Sequence, residues 1–211
     1  MKKQLTLALA ITLTLIACEE KGGGIKTVKI GNQTWMAENL NIDLPGSKCY
    51  KNDPANCQKY GRLYDWNTAM KACPSGWHLP NNGEWETIVN SAGGKETAGK
   101  YLKATSGWIK DPSGNHDNLG DEDPDYDEEK TGNGTDKFGF SALPGGDSSG
   151  YDFGGAGWDG RWWSASEYEG NNAQFDFAYS TYLSYYYETM LYGNGSYNNK
   201  SLLFSVRCIK D

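Results

Sequence analysis

The five cysteines of this 211-residue chain constrain its fold more than any other feature. Cys18 ends an N-terminal apolar run, and Cys49, Cys57, Cys73 and Cys208 form an even set in the rest of the chain. An even set of cysteines is typical of disulfides in an oxidising compartment, and of metal or catalytic sites in the cytosol. How the four are interpreted therefore depends on whether the chain is exported.

The N-terminus has the features of a bacterial lipoprotein signal. Two lysines precede an apolar run from Leu5 to Ala17, which is shorter than the roughly 20 residues that span a bilayer. A small residue stands directly before Cys18, as lipoprotein processing requires. We expect residues 1–17 to be a signal peptide, Cys18 to be lipidated, and residues 18–24 to form a tether. An ordinary cleaved signal with an incidental cysteine is the alternative.

Export makes the four remaining cysteines candidates for two disulfides. Four cysteines allow three pairings, and the short spacing favours Cys49 with Cys57, which leaves Cys73 with Cys208. In the loop-entropy model the long-range bridge stabilises the folded state by about 4 to 5 kcal/mol, and the short bridge stabilises it by about 2 to 3 kcal/mol. A thiolate metal site is the alternative, but no two of these cysteines have the CxxC spacing.

Composition bounds the domain count and the partners. The formal net charge of −7 makes nucleic acid an unexpected partner. An aromatic content of 13%, 27 glycines and a mean hydropathy of −0.71 describe a loop-rich globular domain. Residues 25–211 are enough for one hydrophobic core, so we expect a single domain there.

Hydrophobic patterns predict strands near both ends of the domain. Lys26–Ile30 and Gln33–Met36 flank a Gly-Asn pair, which predicts an opening hairpin with a tight turn. Trp162–Ala165 reads as a short strand. In Leu202–Ile209 apolar residues occupy alternate positions, which predicts a half-buried strand.

Two helices are predicted between these strands. Apolar residues at helical spacing in Tyr64–Cys73, with Asp65 as a cap, predict the first. Asn81 followed by Glu84 resembles a capping box and predicts the start of the second. Lys95–Ala104 extends the second helix or forms a short third one.

The chain contains four ordered motifs: GWHLPNNGEWE at 76–86, FGFSALPGG at 138–146, WWSASE at 162–167 and FSVRCI at 204–209. Together they resemble the Fibrobacter succinogenes major paralogous domain. The resemblance covers about Val28 to Lys210. The first motif also resembles a segment of formylglycine-generating enzymes, which share a C-type-lectin-like architecture. The resemblance implies an α+β fold, with two main helices on short twisted antiparallel strands and long loops. It agrees with a Cys73–Cys208 bridge, because lectin-like domains often join the first helix to the final strand.

The residues give little support to an enzymatic function. Formylglycine-generating enzymes hold copper with two cysteines near the end of the domain, where this chain has only Cys208. Their iron-dependent relatives use several histidines, whereas His78 lies in a structural motif and His116 stands alone. Ser164 and Ser166 lack the flanking glycines of a nucleophile elbow. We therefore expect no catalytic residues and no cofactor.

The acidic run Asp121–Glu129 raises the possibility of a calcium site. Its register does not fit an EF-hand, because Tyr126 stands where glycine is required and Gly132 where the last glutamate is required. We expect a solvated loop and no metal, with weak calcium binding as the alternative.

An aromatic and amide-rich stretch from Trp158 to Asn199 is the candidate binding region. Tyrosine gives a large contact area at low conformational cost, and Ser, Asn and Gly add adaptable hydrogen bonds. The alternative is that many of these rings pack in the core, above all Trp162 and Trp163. The expected ligand-binding residues are Tyr168, Tyr179, Tyr182, Tyr186 and Tyr192.

Three functions are compatible with these patterns. The first is a non-catalytic lipoprotein binding module that recognises a glycan or a protein. The second is a structural or assembly component of the envelope, and the third is an enzyme whose site the sequence does not reveal. A variable receptor with rewritten C-terminal loops is a further hypothesis. Because Glu19 follows Cys18 where inner-membrane lipoproteins often have aspartate, we expect a lipid anchor in the outer membrane, with the domain at the cell surface.

Overall fold

The computed structural model describes residues 24–109, 132–170, 176–193 and 196–211. The expected signal peptide, the lipidation site Cys18, His116 and the acidic run Asp121–Glu129 lie outside these residues. Among the helices that are described, none has the length and apolar character needed to cross a membrane.

The described residues form mainly β-structure, with twelve strands and four short α-helices. The strands are β1 Thr27–Ile30, β2 Gln33–Met36, β3 Leu63–Tyr64, β4 Trp77–His78, β5 Gly145–Ser148, β6 Phe153–Ala156, β7 Asp159–Glu167, β8 Phe177–Ser184, β9 Met190–Leu191, β10 Tyr197–Asn199, β11 Phe204–Ser205 and β12 Ile209–Lys210. The helices are α1 Pro54–Tyr60, α2 Trp66–Ala69, α3 Asn82–Ser91 and α4 Ala98–Leu102, with a 3-10 helix at Tyr50–Asn52.

The strands form two sheets. The smaller sheet has the order β1-β2-β12-β4. The larger has the order β10-β8-β7-β11-β3, with β5 paired to β7, β6 to β5 and β9 to β8. Most neighbours are antiparallel, but β7 pairs in parallel with both β5 and β11.

The expected α+β fold, with two main helices on short antiparallel strands, is wrong. Of the predicted helix Tyr64–Cys73 only α2 is helical, because Tyr64 pairs with Phe204 in the larger sheet and the chain turns after Ala69. The apolar spacing did not mark one buried face, since Met70 is exposed. Strand pairing between distant segments, which local periodicity does not report, therefore dominates the architecture.

Several local predictions are confirmed. β1 and β2 form the opening hairpin, with Ile30 opposite Gln33 and Gly31 in the left-handed region that the tight turn requires. The capping box of α3 is complete, because Asn81 and Glu84 each accept a hydrogen bond from the other's backbone N–H. Beyond the glycine break, α4 is a separate short helix.

Both expected disulfides are present. Cys49, directly before the 3-10 helix, bonds to Cys57 within α1, and Cys73 bonds to Cys208 across 135 residues of sequence. The second bridge joins the segment after α2 to the C-terminal segment before β12. It therefore links the N-terminal half of the domain covalently to its C-terminal segment.

The core is divided by β7. Trp162 packs in one buried cluster with Leu183 of β8, and Trp163 packs in another with Phe204 of β11. The indole N–H of Trp163 donates to the Tyr64 carbonyl at 2.7 Å. The centre of the larger sheet is thus covered on both faces, and the predicted core role of both tryptophans is confirmed.

The prediction that Leu202–Ile209 is a half-buried strand is wrong, because almost the whole segment is buried. Apart from Leu202 the whole segment is buried, and its regular strands are confined to β11 and β12. Arg207 lies between β11 and β12 and is fully buried.

Arg207 is held by oxygen acceptors from two stretches of the chain, residues 36–39 and residues 140–141. Its Nε and Nη2 donate to Asn39 Oδ1 at 3.0 and 2.7 Å, and its Nη1 donates to the carbonyls of Met36 and Phe140. Trp162 Nε1 donates to the same Asn39 oxygen at 2.9 Å. Burial lowers the pKa of Arg207 to about 9, so the guanidinium is still charged at neutral pH.

Replacing Asn39 tests this network. Asn39→Ala leaves a buried guanidinium without its shared acceptor, so we expect a loss of about 3 kcal/mol in the free energy of unfolding. Chemical denaturation of the disulfide-bonded protein measures it. The exposed neighbour variant Asn41→Ala is the control, and equal stability of the two variants would contradict the role of Asn39.

Candidate functional site

Four aromatic side chains, which we call the aromatic platform, cluster at one end of the β8–β10 ladder: Tyr168, Phe177, Tyr179 and Tyr197. In β8, Phe177 and Tyr179 are two residues apart and so share a face of the sheet. Tyr197 of the edge strand β10 pairs directly with Tyr179. Tyr168, just after β7, continues the ladder because its N–H donates to the Phe177 carbonyl.

The platform rings contact one another in specific orientations. Tyr168 and Tyr197 are stacked, with centroids 4.2 Å apart and planes at 11°. Tyr179 meets Tyr168 edge to face at 5.6 Å, and Phe177 meets Tyr197 in the same way at 5.7 Å. The nearby Tyr197 hydroxyl raises the pKa of Tyr168. Tyr197 is 45% exposed, so the stacked pair presents aromatic surface to solvent.

Gly170 sets the position of the Tyr168 ring. A Cβ at Gly170 would lie 2.1 Å from Cε1 and 2.3 Å from the hydroxyl of Tyr168. The ring therefore packs directly against the Gly170 backbone, and only glycine leaves it in its stacked position.

The structure brings together two of the five tyrosines expected to bind ligand, Tyr168 and Tyr179. Tyr186 is buried and makes edge-to-face contacts with its sequence neighbours. Tyr192 packs against the core cluster that contains Trp162. These two positions are therefore part of the packing.

Tyr182, the fifth, belongs to a polar cluster further along β8. Its hydroxyl donates to Asp159 Oδ1 at 2.8 Å, and the Arg161 guanidinium lies 4.3 Å from its ring centroid. Burial raises the pKa of Tyr182 to about 12. Arg161 also pairs with Asp147 at 2.9 Å, and burial raises the pKa of that carboxyl group.

Sequence reasoning did not single out two platform residues, Phe177 and Tyr197. The alternation of Phe177 and Tyr179 along a strand was a usable signal for the first. Tyr197 required knowledge of its register opposite Tyr179, which no local pattern contains.

The serines and the histidine considered for catalysis have structural contacts. Ser164 Oγ donates to Asn82 Oδ1, and Ser166 Oγ accepts from the Asn82 N–H, so both fix the start of α3. His78 Nδ1 lies 2.6 Å from Asp211 Oδ1, and Nε2 lies 2.8 Å from Glu84 Oε1. Within the described ranges, no three His, Cys, Asp or Glu side chains are grouped so as to hold a metal ion.

Comparison with known proteins identifies the family. The Fibrobacter succinogenes major domain matches residues 28–210, so the chain belongs to that family. No curated protein matches the chain, and no solved structure matches it either.

The His78 contacts predict a pH-dependent contribution to stability. Partial burial disfavours the charged ring, but hydrogen bonds to Asp211 and Glu84 outweigh it and raise the pKa of His78. The contribution is therefore complete below the unfolded value of about 6.5 and is lost as pH rises through the folded pKa.

Thermal unfolding of the wild type and His78→Gln between about pH 5 and pH 9 measures this contribution. We expect the difference in Tm to be larger at the acidic end. A difference that is constant across the range would contradict a charged His78 between the two carboxylates.

Proposed function

We propose that this member of the Fibrobacter succinogenes major domain family is a non-catalytic glycan-binding module that contacts its ligand through the aromatic platform. The observation that carries the proposal is the stacked, solvent-facing pair Tyr168–Tyr197 at the edge of the larger sheet. Clustered aromatic surface of this kind is typical of interaction sites on proteins.

Tyrosine rings suit a sugar ligand for physical reasons. A ring face offers a flat apolar surface to the C–H face of a sugar, and the phenol hydroxyl can hydrogen-bond at its edge. The platform rings are held against one another and against Gly170, so little conformational entropy is lost on binding.

We further propose that the module is exported and held by a lipid on Cys18, with the domain at the outer surface of the outer membrane. The support is the N-terminal sequence, in which an apolar run ends at that cysteine. The paired cysteines agree with an oxidising compartment.

An envelope assembly component with a protein partner is the second candidate. The observation in its favour is that two of the five tyrosines expected to bind ligand, Tyr186 and Tyr192, pack inside the protein instead. The ligand class therefore decides between the two proposals.

Retention of the full chain on insoluble polysaccharides and on a glycan array, with and without calcium, tests the proposed function. We expect Tyr197→Ala to weaken binding by about tenfold or more, as for a central aromatic contact. Trp158→Ala is the matched control, because Trp158 is 43% exposed, close to Tyr197 at 45%, and lies at the opposite end of the β7–β8 pair.

A second variant tests whether binding depends on the position of the Tyr168 ring and not only on its presence. Gly170→Ala keeps every aromatic side chain but displaces the Tyr168 ring, so we expect weakened binding with unchanged thermal stability. Equal losses in Trp158→Ala and Tyr197→Ala would contradict the platform. Absence of wild-type binding to every glycan would contradict the glycan proposal and favour a protein partner.

A further inference from the structure

An open cleft of about 460 Å³ lies at the end of the β8–β10 ladder. This volume is within the range of about 300 to 1,000 Å³ typical of small-molecule sites. The walls come from the segment before α1, the start of α2, the β5–β6 turn and the adjoining ends of β8 and β10. The charged and amide side chains that line it are Lys48, Asp65, Asn67, Asp176, Asn199 and Lys200.

The cleft adjoins the aromatic platform through Asn199. Asn199 pairs with the platform residue Phe177, and the Lys200 N–H donates to the Asp176 carbonyl one step further along. Asn199 is two residues after Tyr197 and so lies on the same side of β10. A ligand that stacks on the platform and continues along the ladder therefore enters the cleft.

The groups around the cleft are held by contacts within the protein. Lys48 Nζ donates to the Gly150 carbonyl at 2.6 Å. Lys200 Nζ pairs with Asp176 at 2.5 Å, and its side chain is only 11% exposed. Asp65 accepts from the N–H and the hydroxyl of Thr68 at 3.0 and 2.8 Å. The site is thus preorganised, which lowers the entropic cost of binding.

The charges in the cleft favour one class of ligand. Two lysines and two aspartates lie in its walls, so a ligand of either charge meets a like charge when it enters. A hydroxyl group both donates and accepts hydrogen bonds, and so it satisfies an ammonium, a carboxylate and an amide alike. A ligand with several hydroxyl groups and no net charge fits best.

We propose that this cleft binds a neutral sugar residue of the same glycan whose neighbouring residue stacks on the aromatic platform. The proposal rests on the proposed function and adds the ligand's charge class and a second subsite. Asn67 is the most direct probe of it, because its amide lines the cleft and its side chain is exposed at the start of α2.

Calorimetric titration of the full chain with hexasaccharides tests the proposal. The neutral probes are cello-, xylo- and mannohexaose, and the charged probes are hexagalacturonate and chitosan hexamer. We expect Asn67→Ala and Lys48→Met to weaken binding of the preferred neutral probe by about threefold to tenfold each, as for loss of one hydrogen bond. Asn90→Ala, which replaces another exposed helix asparagine outside the cleft, is the matched control.

The outcomes separate the two proposals. Binding that Tyr197→Ala weakens but both cleft variants leave unchanged would overturn the cleft subsite and leave the glycan-binding function standing. Equal affinity for hexagalacturonate or chitosan hexamer would overturn the neutral class. Failure of the wild type to bind any of the probes or any glycan on the array would overturn both.

Discussion

The charged guanidinium of Arg207 sits in the interior of the domain and organises the segments around it. The side-chain oxygen of Asn39, from the loop after the first hairpin, and the carbonyl of Phe140 accept from this group, and Trp162 of β7 donates to the same Asn39 oxygen. A buried charge is costly unless it is fully hydrogen-bonded, so these acceptors must be correctly placed for the fold to be stable. The Cys73–Cys208 disulfide fixes the neighbouring residue and holds the same segment in place.

The hydrogen bond from Trp162 to Asn39 places β7 beside the buried Arg207, and β7 in turn determines where the candidate site lies. Trp162 and Trp163 point to opposite faces and enter separate buried clusters, so the middle of the larger sheet is closed to ligands. The aromatic platform lies instead at the start of β8 and on the short edge strand β10, where Tyr197 reaches solvent. The aromatic platform and the polar cleft lie side by side there, one offering ring faces and the other fixed hydrogen-bonding groups.

The sequence predicted the features that depend on near neighbours. The opening hairpin, the capping box at Asn81 and the Cys49–Cys57 disulfide were found in this way, and Cys73–Cys208 was the pair that remained. The family was identified from four short motifs. The architecture was missed because the pairing of Tyr64 with Phe204 joins residues far apart in sequence. Arg207 was missed for the same reason, since its alternating segment resembles a half-exposed strand until the acceptors from elsewhere are known.

The central claim, that a glycan stacks on Tyr168 and Tyr197, can be tested directly by nuclear magnetic resonance of the protein with ring-labelled tyrosines. On titration with the preferred hexasaccharide, we expect the resonances of these two rings to move while that of the buried Tyr64 stays fixed. Binding that leaves the platform rings unchanged and moves other tyrosines would contradict the claim.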